Sequence, residues 1–184
     1  DRNSYLSDPD FVNNPSKKLL SKAYAAHIRS KILKNKAESP QALSTQTTHE
    51  GTNTTHFSIQ DKKGNTVSLT YTLNSYFGAG VIAGNTGIIL NNEMDDFAVK
   101  PGVPNSYGLV QGEANQVEPG KRPLSSMAPT IVLKSGKPIL VTGSPGGSTI
   151  PTTVLQVITN ITDFGMDIRD AVCAPRVHFQ GQPN

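Results

Sequence analysis

The 184 residues carry 17 Lys and Arg against 14 Asp and Glu, a net charge of +3 at pH 7, with no long basic block. Nucleic-acid binding through an electrostatic face is therefore a weak reading. The lone Cys173 excludes an internal disulfide framework and a CxxC metal knuckle, and no apolar run approaches the ~20 residues of a membrane span.

The chain opens Asp1-Arg2-Asn3 without an initiating Met or a signal-peptide pattern, so a piece of something longer is expected. Asn14-Pro15 fits an N-cap followed by proline in the first helical position, which predicts a helix from about Pro15 to Lys36. Its lysines alternate with Leu19, Leu20, Tyr24, Ile28 and Ile32, the pattern of an ordinary helix with one polar side. The following residues, 38–53, are rich in Ser, Thr, Gln and Pro and have almost nothing apolar to bury, so they read as a linker.

From Phe57 the period changes to two. Phe57 and Ile59 alternate with polar residues, as do Val67, Leu69, Tyr71 and Leu73 after the turn Asp61-Lys62-Lys63-Gly64-Asn65. Pairing Phe57 with Leu69 and Ile59 with Val67 puts the apolar side chains on one face. The same register sets Thr54 opposite Thr72 on the other face, with His56 beside them and Asn74 two residues beyond. Gly78 to Asn92 reads as a Gly-rich loop with a short apolar strand at Ile88-Ile89-Leu90, and Asn91 to Arg122 as a long loop. Loops of that length inside a domain are functional or disordered. Thr130–Leu133 and Ile139–Thr142 predict a second hairpin across Ser135-Gly136. Gly143 to Ser148, "GSPGGS", then turns the chain into a helix from about Pro151 to Phe164, stopped by Gly165. One or two further helical turns are expected between Asp167 and Val172. Strands, loops, strands and helix in that order read as α+β.

Chemistry concentrates in four places. Thr54-Thr55-His56 offers hydroxyls at a strand mouth. A threonine hydroxyl needs a base, and its own α-amino group can serve once the preceding peptide bond is cut. A linker ending at Asn53 would leave the Asn53-Thr54 bond accessible, and Thr72 could orient the Thr54 hydroxyl; composition by itself favours reading Thr-Thr as an ordinary strand start. The acids of Asn91-Asn92-Glu93-Met94-Asp95-Asp96 could hold an ammonium group, while their spacing lacks the ligand alternation and central glycine of a calcium loop. Ser125-Ser126 could hold a carboxylate or cap a turn. The Gly146-Gly147 turn could direct backbone N–H groups at an anion, either a phosphate or the oxyanion of an acyl-transfer intermediate. It matches no nucleotide-binding glycine motif. His27, His49 and His178 are given no role.

Together these segments resemble the γ-glutamyltranspeptidase family. The resemblance is carried by "TTHFSIQDKKGNTVSLTYTLN", "GIILNNEMDDFAVKPGVPNSYGLV", "KRPLSSMAPTIVLKSGKPILVTGSPGGS" and "TTVLQVITN", and runs from Asp1 to about His178. It implies an N-terminal-nucleophile hydrolase fold, stacked antiparallel sheets between helix layers (αββα), here partial. Residues 1–37 would be a helical arm from the end of a large subunit, 38–53 a linker ending at the self-cleavage site, and 54–184 an incomplete small-subunit catalytic domain.

By the same resemblance Thr54 is the nucleophile and Thr72 its supporting threonine. Asn74, Glu93 and Asp96 would bind the α-amino and α-carboxylate ends of a γ-glutamyl group, Ser125 and Ser126 its α-carboxylate, and Gly146 and Gly147 would supply oxyanion N–H groups. The implied reaction is γ-glutamyl transfer from glutathione and related compounds to water, amino acids or dipeptides, with no metal or organic cofactor. The remaining large-subunit portion is an expected partner, and the expected location is periplasmic or extracellular. Related acyl chemistries on the same fold, that of a cephalosporin acylase or of a capsule γ-polymer transferase, are the neighbouring alternatives; a non-enzymatic anion-binding domain is the alternative of another class. Thr149-Ile150-Pro151 departs from the Arg-Ile-Ile that the family has after the diglycine turn. These residues alone are expected to be catalytically weak or inactive, with Asn53-Thr54 uncut.

Overall fold

The computed structural model describes residues 1–35 and 53–179. By contact they form two units: residues 1–35, Met94–Leu124 and Phe179 in the first, residues 53–93 and Ser125–His178 in the second. The proposed linker 38–53 lies outside the described residues except for Asn53.

In the first unit the expected helix from Pro15 to Lys36 is corrected. After α1 (Arg2–Tyr5), two short helices occur in its place, α2 (Ser16–Leu19) and α3 (Lys22–Lys31). Asn14 does not cap α2, because its side chain is engaged elsewhere, accepting from the Ser7 N–H at 3.0 Å and donating to the Ser7 carbonyl at 2.8 Å. Ser21 makes the break. Its backbone is extended at φ −76°, ψ 143°, and its Oγ accepts the Tyr24 N–H, the geometry of an N-cap. The pattern of apolar residues ran through a position where capping chemistry starts a new helix.

The long stretch 98–124 has little regular structure but is well tied. Asn115 is fully buried. Its amide donates to the Asp96 carbonyl at 2.7 Å, and its Oδ1 accepts the Leu124 N–H at 3.1 Å. Gln111, also buried, donates to the same Asp96 carbonyl at 3.0 Å. Side-chain amides here replace the strand ladder that the backbone lacks, as buried backbone groups require. Asp8, buried in the same unit, accepts from the Arg122 backbone N–H and Nε, both at 2.8 Å, and pairs with its guanidinium. These bonds hold the Asp8 carboxyl well below the usual carboxylate range.

The second unit contains two antiparallel hairpins, β1 (Thr54–Gln60) with β2 (Thr66–Thr72) and β3 (Thr130–Lys134) with β4 (Lys137–Thr142). The first has the expected register: Phe57 faces Leu69, Ile59 faces Val67 and Thr54 faces Thr72. Its turn is built by Asp61, whose carboxylate accepts the Lys63 and Asn65 N–H groups. The second hairpin turns at Ser135-Gly136, both at positive φ, with an irregularity between Val132 and Leu133. The strand expected at Ile88–Leu90 is reduced to an isolated bridge between Ile82 and Ile89. Asn and Gly crowd the surrounding loop and leave too few pairing residues for a ladder.

Helix α4 (Ile150–Thr162) starts one residue before the expected Pro151 and ends two before Phe164, with Pro151 in its first turn. It buries Ile150, Val154 and Val157. Helix α5 (Ile168–Cys173) is capped by Asp167, which accepts the Asp170 N–H at 2.9 Å, and buries Ala171. The chain after α5 returns to α4: Gln156 exchanges two hydrogen bonds with the Val177 backbone, and Thr152 Oγ1 lies 2.9 Å from His178 Nδ1. Among the described residues no helix is long and apolar enough to cross a membrane.

Candidate active site

The polar face of the first hairpin is a ladder of hydroxyls and one imidazole. Alternation places Thr54, His56 and Ser58 of β1 on the same side as Thr72, Thr70 and Ser68 of β2. Thr54 is buried at the strand mouth although threonine is usually exposed. Its hydroxyl donates to Thr72 Oγ1 at 3.2 Å. The Thr72 hydroxyl in turn donates to the Asn53 carbonyl at 3.3 Å and accepts the Asn74 N–H at 2.9 Å. Thr72 thus links the hydroxyl of residue 54 to the carbonyl of the peptide bond that joins residues 53 and 54.

Asn53 adds a second feature. Its side-chain Oδ1 is buried and has no hydrogen-bond partner among the described residues. An orphaned amide oxygen costs about 1–3 kcal/mol, here directly beside the Asn53-Thr54 bond.

Asn74 ends the ladder in a left-handed conformation, φ 73°, which Asn tolerates better than other residues with a side chain. It is 3% exposed, and its amide donates to the Asn92 carbonyl at 3.2 Å. Asn92, which the sequence did not single out, clamps the same corner: its Oδ1 accepts the Ser75 N–H and its Nδ2 donates to Ser75 Oγ. Its pairing with residues 73–75 is long-range, and the only sequence signal is its place in the Asn91-Asn92 pair.

His56 bridges the ladder. Its Nδ1 lies 2.9 Å from Thr70 Oγ1 and its Nε2 3.1 Å from Ser58 Oγ. Burial lowers its pKa and favours the neutral ring. The ring also occupies the space where a side chain at Gly143 would start: a Cβ there would lie 2.2 Å from His56 Nδ1. Ser68 Oγ donates to the Thr142 carbonyl at 3.1 Å, so the end of β4 rests on the same polar face. The approach of Gly143 to His56 sets the start of the glycine turn against the strand that carries Thr54.

Within the turn, Gly146 has φ 129°, a conformation that strongly favours glycine. Its carbonyl accepts both the N–H of Thr149, at 3.0 Å, and the Thr149 hydroxyl, at 2.8 Å. The N–H groups of Gly146 and Gly147 make no hydrogen bond within the described residues.

The remaining candidates are more scattered. Glu93 begins a 3-10 turn, Glu93–Asp96, with its N–H bonded to Asn91 Oδ1 at 2.9 Å. Asp96 belongs to the first unit, where Arg2 is its electrostatic partner. Ser125 Oγ accepts the Met127 N–H at 3.1 Å, a local turn of the kind serine forms, and Ser126 follows it. The structure therefore gathers Asn53, Thr54, Thr72, Asn74 and His56 directly.

The family model described as Gamma-glutamyltranspeptidase matches residues 1–184. A glutathione hydrolase proenzyme from Pseudomonas sp. (strain A14) is 59% identical over 184 residues, covering 100% of this chain and 32% of the relative. A crystal structure of a γ-glutamyltranspeptidase mutant from Helicobacter pylori is 60% identical, with TM-score 0.67, over 68% of each chain. A cephalosporin acylase from Bacillus halodurans is 28% identical, with TM-score 0.72, over 94% of this chain and 28% of the acylase. The chain spans about a third of the length of the curated relative.

Proposed function

Because this chain belongs to the γ-glutamyltranspeptidase family, an enzyme family of α+β N-terminal-nucleophile hydrolase type, we propose that it carries the self-cleavage site and nucleophile of a γ-glutamyl transfer enzyme. One observation carries the reading: the Thr54 hydroxyl, the Thr72 hydroxyl and the Asn53 carbonyl form one hydrogen-bonded chain.

Before cleavage that chain polarises the carbonyl which Thr54 Oγ would attack. As the C–O bond forms, the Thr54 hydroxyl proton passes to Thr72 while Thr72 hands its own to the Asn53 carbonyl oxygen; that proton moves to the amide nitrogen as the C–N bond breaks, leaving an ester on Thr54 and a free α-amino group. Water hydrolyses the ester, which releases Asn53 as a carboxylate. "Proenzyme" in the name of the Pseudomonas relative supports such a step.

After cleavage the new α-amino group of Thr54 acts as the base for its own hydroxyl. Thr54 Oγ attacks the γ-carbonyl of a γ-glutamyl donor such as glutathione, the amine leaves with a proton, and a γ-glutamyl ester remains. Water, an amino acid or a dipeptide amine then takes the acyl group. Gly146 and Gly147 are assigned the oxyanion, since their N–H groups are uncommitted and such donors stabilise acyl-transfer intermediates. Asn74, Glu93 and Asp96 are assigned the α-amino and α-carboxylate ends of the donor, and Ser125 and Ser126 the α-carboxylate. Residues 1–37 would be the arm ending a large subunit, 38–53 the linker to the cleavage site, and 54–184 the catalytic portion. The rest of the large subunit would be the structural partner, and the location periplasmic or extracellular.

The test uses a protein of full family length that carries this chain. Thr54→Ala should abolish both cleavage at Asn53-Thr54 and covalent capture of a γ-glutamyl affinity label. Labelling at any other residue refutes the assignment. Parallel assays on γ-glutamyl and acyl-lactam donors separate the proposal from an acylase activity, which the likeness to the Bacillus halodurans protein keeps as the second substrate to try.

A further inference from the structure

We propose that Thr149 is a positioning residue that aims the Gly147 N–H at the reacting carbonyl; this rests on the acyl-transfer reading above. Thr149 lies in the short 3-10 turn Gly147–Thr149 that leads into α4, and it is buried. Its hydroxyl and its own N–H converge on one acceptor, the Gly146 carbonyl, at 2.8 and 3.0 Å.

The consequence follows from the planarity of the peptide bond. The Gly146 C=O and the Gly147 N–H belong to the same peptide unit, and no cis bond occurs among the described residues. In a trans peptide these two groups point in opposite directions. Two bonds that fix the carbonyl on Thr149 therefore fix the N–H away from Thr149, out of the turn. The Gly147 N–H has no internal partner that would turn it back.

Gly146 sits at φ 129°, where glycine alone rests easily. The Thr149 hydroxyl lies against it: a Cβ on Gly146 would be 2.4 Å from Thr149 Oγ1, so a side chain at residue 146 would displace the clamp. The Thr149 carbonyl accepts the Thr152 hydroxyl at 2.8 Å, which ties the clamp to the first turn of α4. The β-branched hydroxyl reaches back to its own turn at i−3 and supplies it with its own fastener.

Thr149→Val keeps the shape and removes the donor, and Thr149→Ser keeps the donor. Both are made in a protein of full family length carrying this chain, after confirming cleavage at Asn53-Thr54. Losing an oxyanion donor outright costs about 10²–10³ in kcat. A donor that is loosened but not removed should cost about tenfold. Thr149→Val is expected to lower kcat by that factor with KM unchanged, and Thr149→Ser to restore it. A tetrahedral γ-glutamyl boronate should bind Thr149→Val more weakly by the same factor, while free glutamate binds equally well.

Wild-type kcat in Thr149→Val overturns the proposal. So does an equal loss in Thr149→Ser, or a loss of boronate and glutamate binding together, since each makes the role one of general stability. Failure of the underlying reading shows separately: Thr54→Ala would then keep its activity whatever Thr149 does.

Discussion

Gly143→Ala would drive a methyl group into the His56 ring of the polar ladder. The added methyl would lie 2.2 Å from His56 Nδ1, 2.3 Å from Cε1 and 2.7 Å from Cγ. Non-bonded heavy atoms settle at about 3.5–4.0 Å, so either the ring or the end of β4 must move by more than about 1 Å. The ring is held at both nitrogens, by Thr70 and by Ser58. Moving it breaks the ladder two residues from Thr54. Gly143 is not in the left-handed region, so the alanine brings no backbone strain and the whole effect is steric. Overpacking of this kind costs about 1–3 kcal/mol in stability, and a displacement of about 1 Å at a reacting group costs about 10²-fold in rate. The assay is the time course of Asn53-Thr54 cleavage by intact mass, in a protein of full family length, with thermal melting alongside. Gly143→Ala should slow cleavage by about 10²-fold. His56→Ala/Gly143→Ala should regain most of that loss, because the obstructing ring is gone. Cleavage at the wild-type rate in Gly143→Ala, or no recovery in the double variant, would refute this steric account.

Three other outcomes are expected. Thr72→Val should slow self-cleavage strongly and leave the fold intact, with Thr72→Ser close to wild type; equal rates in all three proteins would remove Thr72 from the relay. At Asn74, alanine should destabilise the second unit by about 1–2 kcal/mol for its left-handed backbone, whereas glycine should recover the backbone part but not the bond to Asn92; hydrogen exchange of residues 73–75 reads both. In the first unit, the Asp8 carboxyl is held below its ordinary value by Arg122. Its contribution is therefore present above the unfolded carboxylate pKa of about 4 and is lost as pH falls below it. Acid titration followed by near-ultraviolet circular dichroism should show a low-pH loss of packing that Asp8→Asn makes largely independent of pH.

The parts of this molecule that were legible in the sequence are those governed by local periodicity and turn chemistry. Alternation of Phe57, Ile59, Val67 and Leu69 around the turn at residues 61–65 sorts polar from apolar faces; a slip by two residues would sort them equally, and the folded hairpin, with its turn built by Asp61, has Thr54 opposite Thr72. Helix α4 is announced by its proline and its apolar spacing. The interruption at Ser21 was hidden, because a serine within a helical pattern is compatible with either a cap or an interior position. The order in residues 98–124 was hidden as well. It depends on Asn115 and Gln111 reaching the distant Asp96 carbonyl, and side-chain amides at long separation leave no period to detect. Asn92 and the Gly143–His56 contact belong to the same class. Thr149 is a different case: it was visible as a departure from the pattern, but its use depends on a carbonyl three residues earlier that only the folded turn brings within reach.

The position of the Thr72 hydroxyl has one more consequence. It faces the polypeptide's own carbonyl at residue 53, and under the proposed mechanism the same atoms later meet the substrate's carbonyl. Maturation then works as an inspection: a copy whose hydroxyl pair is misplaced fails to cut itself and never exposes the amine it would need to act on anything else. Errors in that corner would accumulate as uncut precursor, so the ratio of precursor to mature chains would report the quality of the catalytic geometry without any substrate being added.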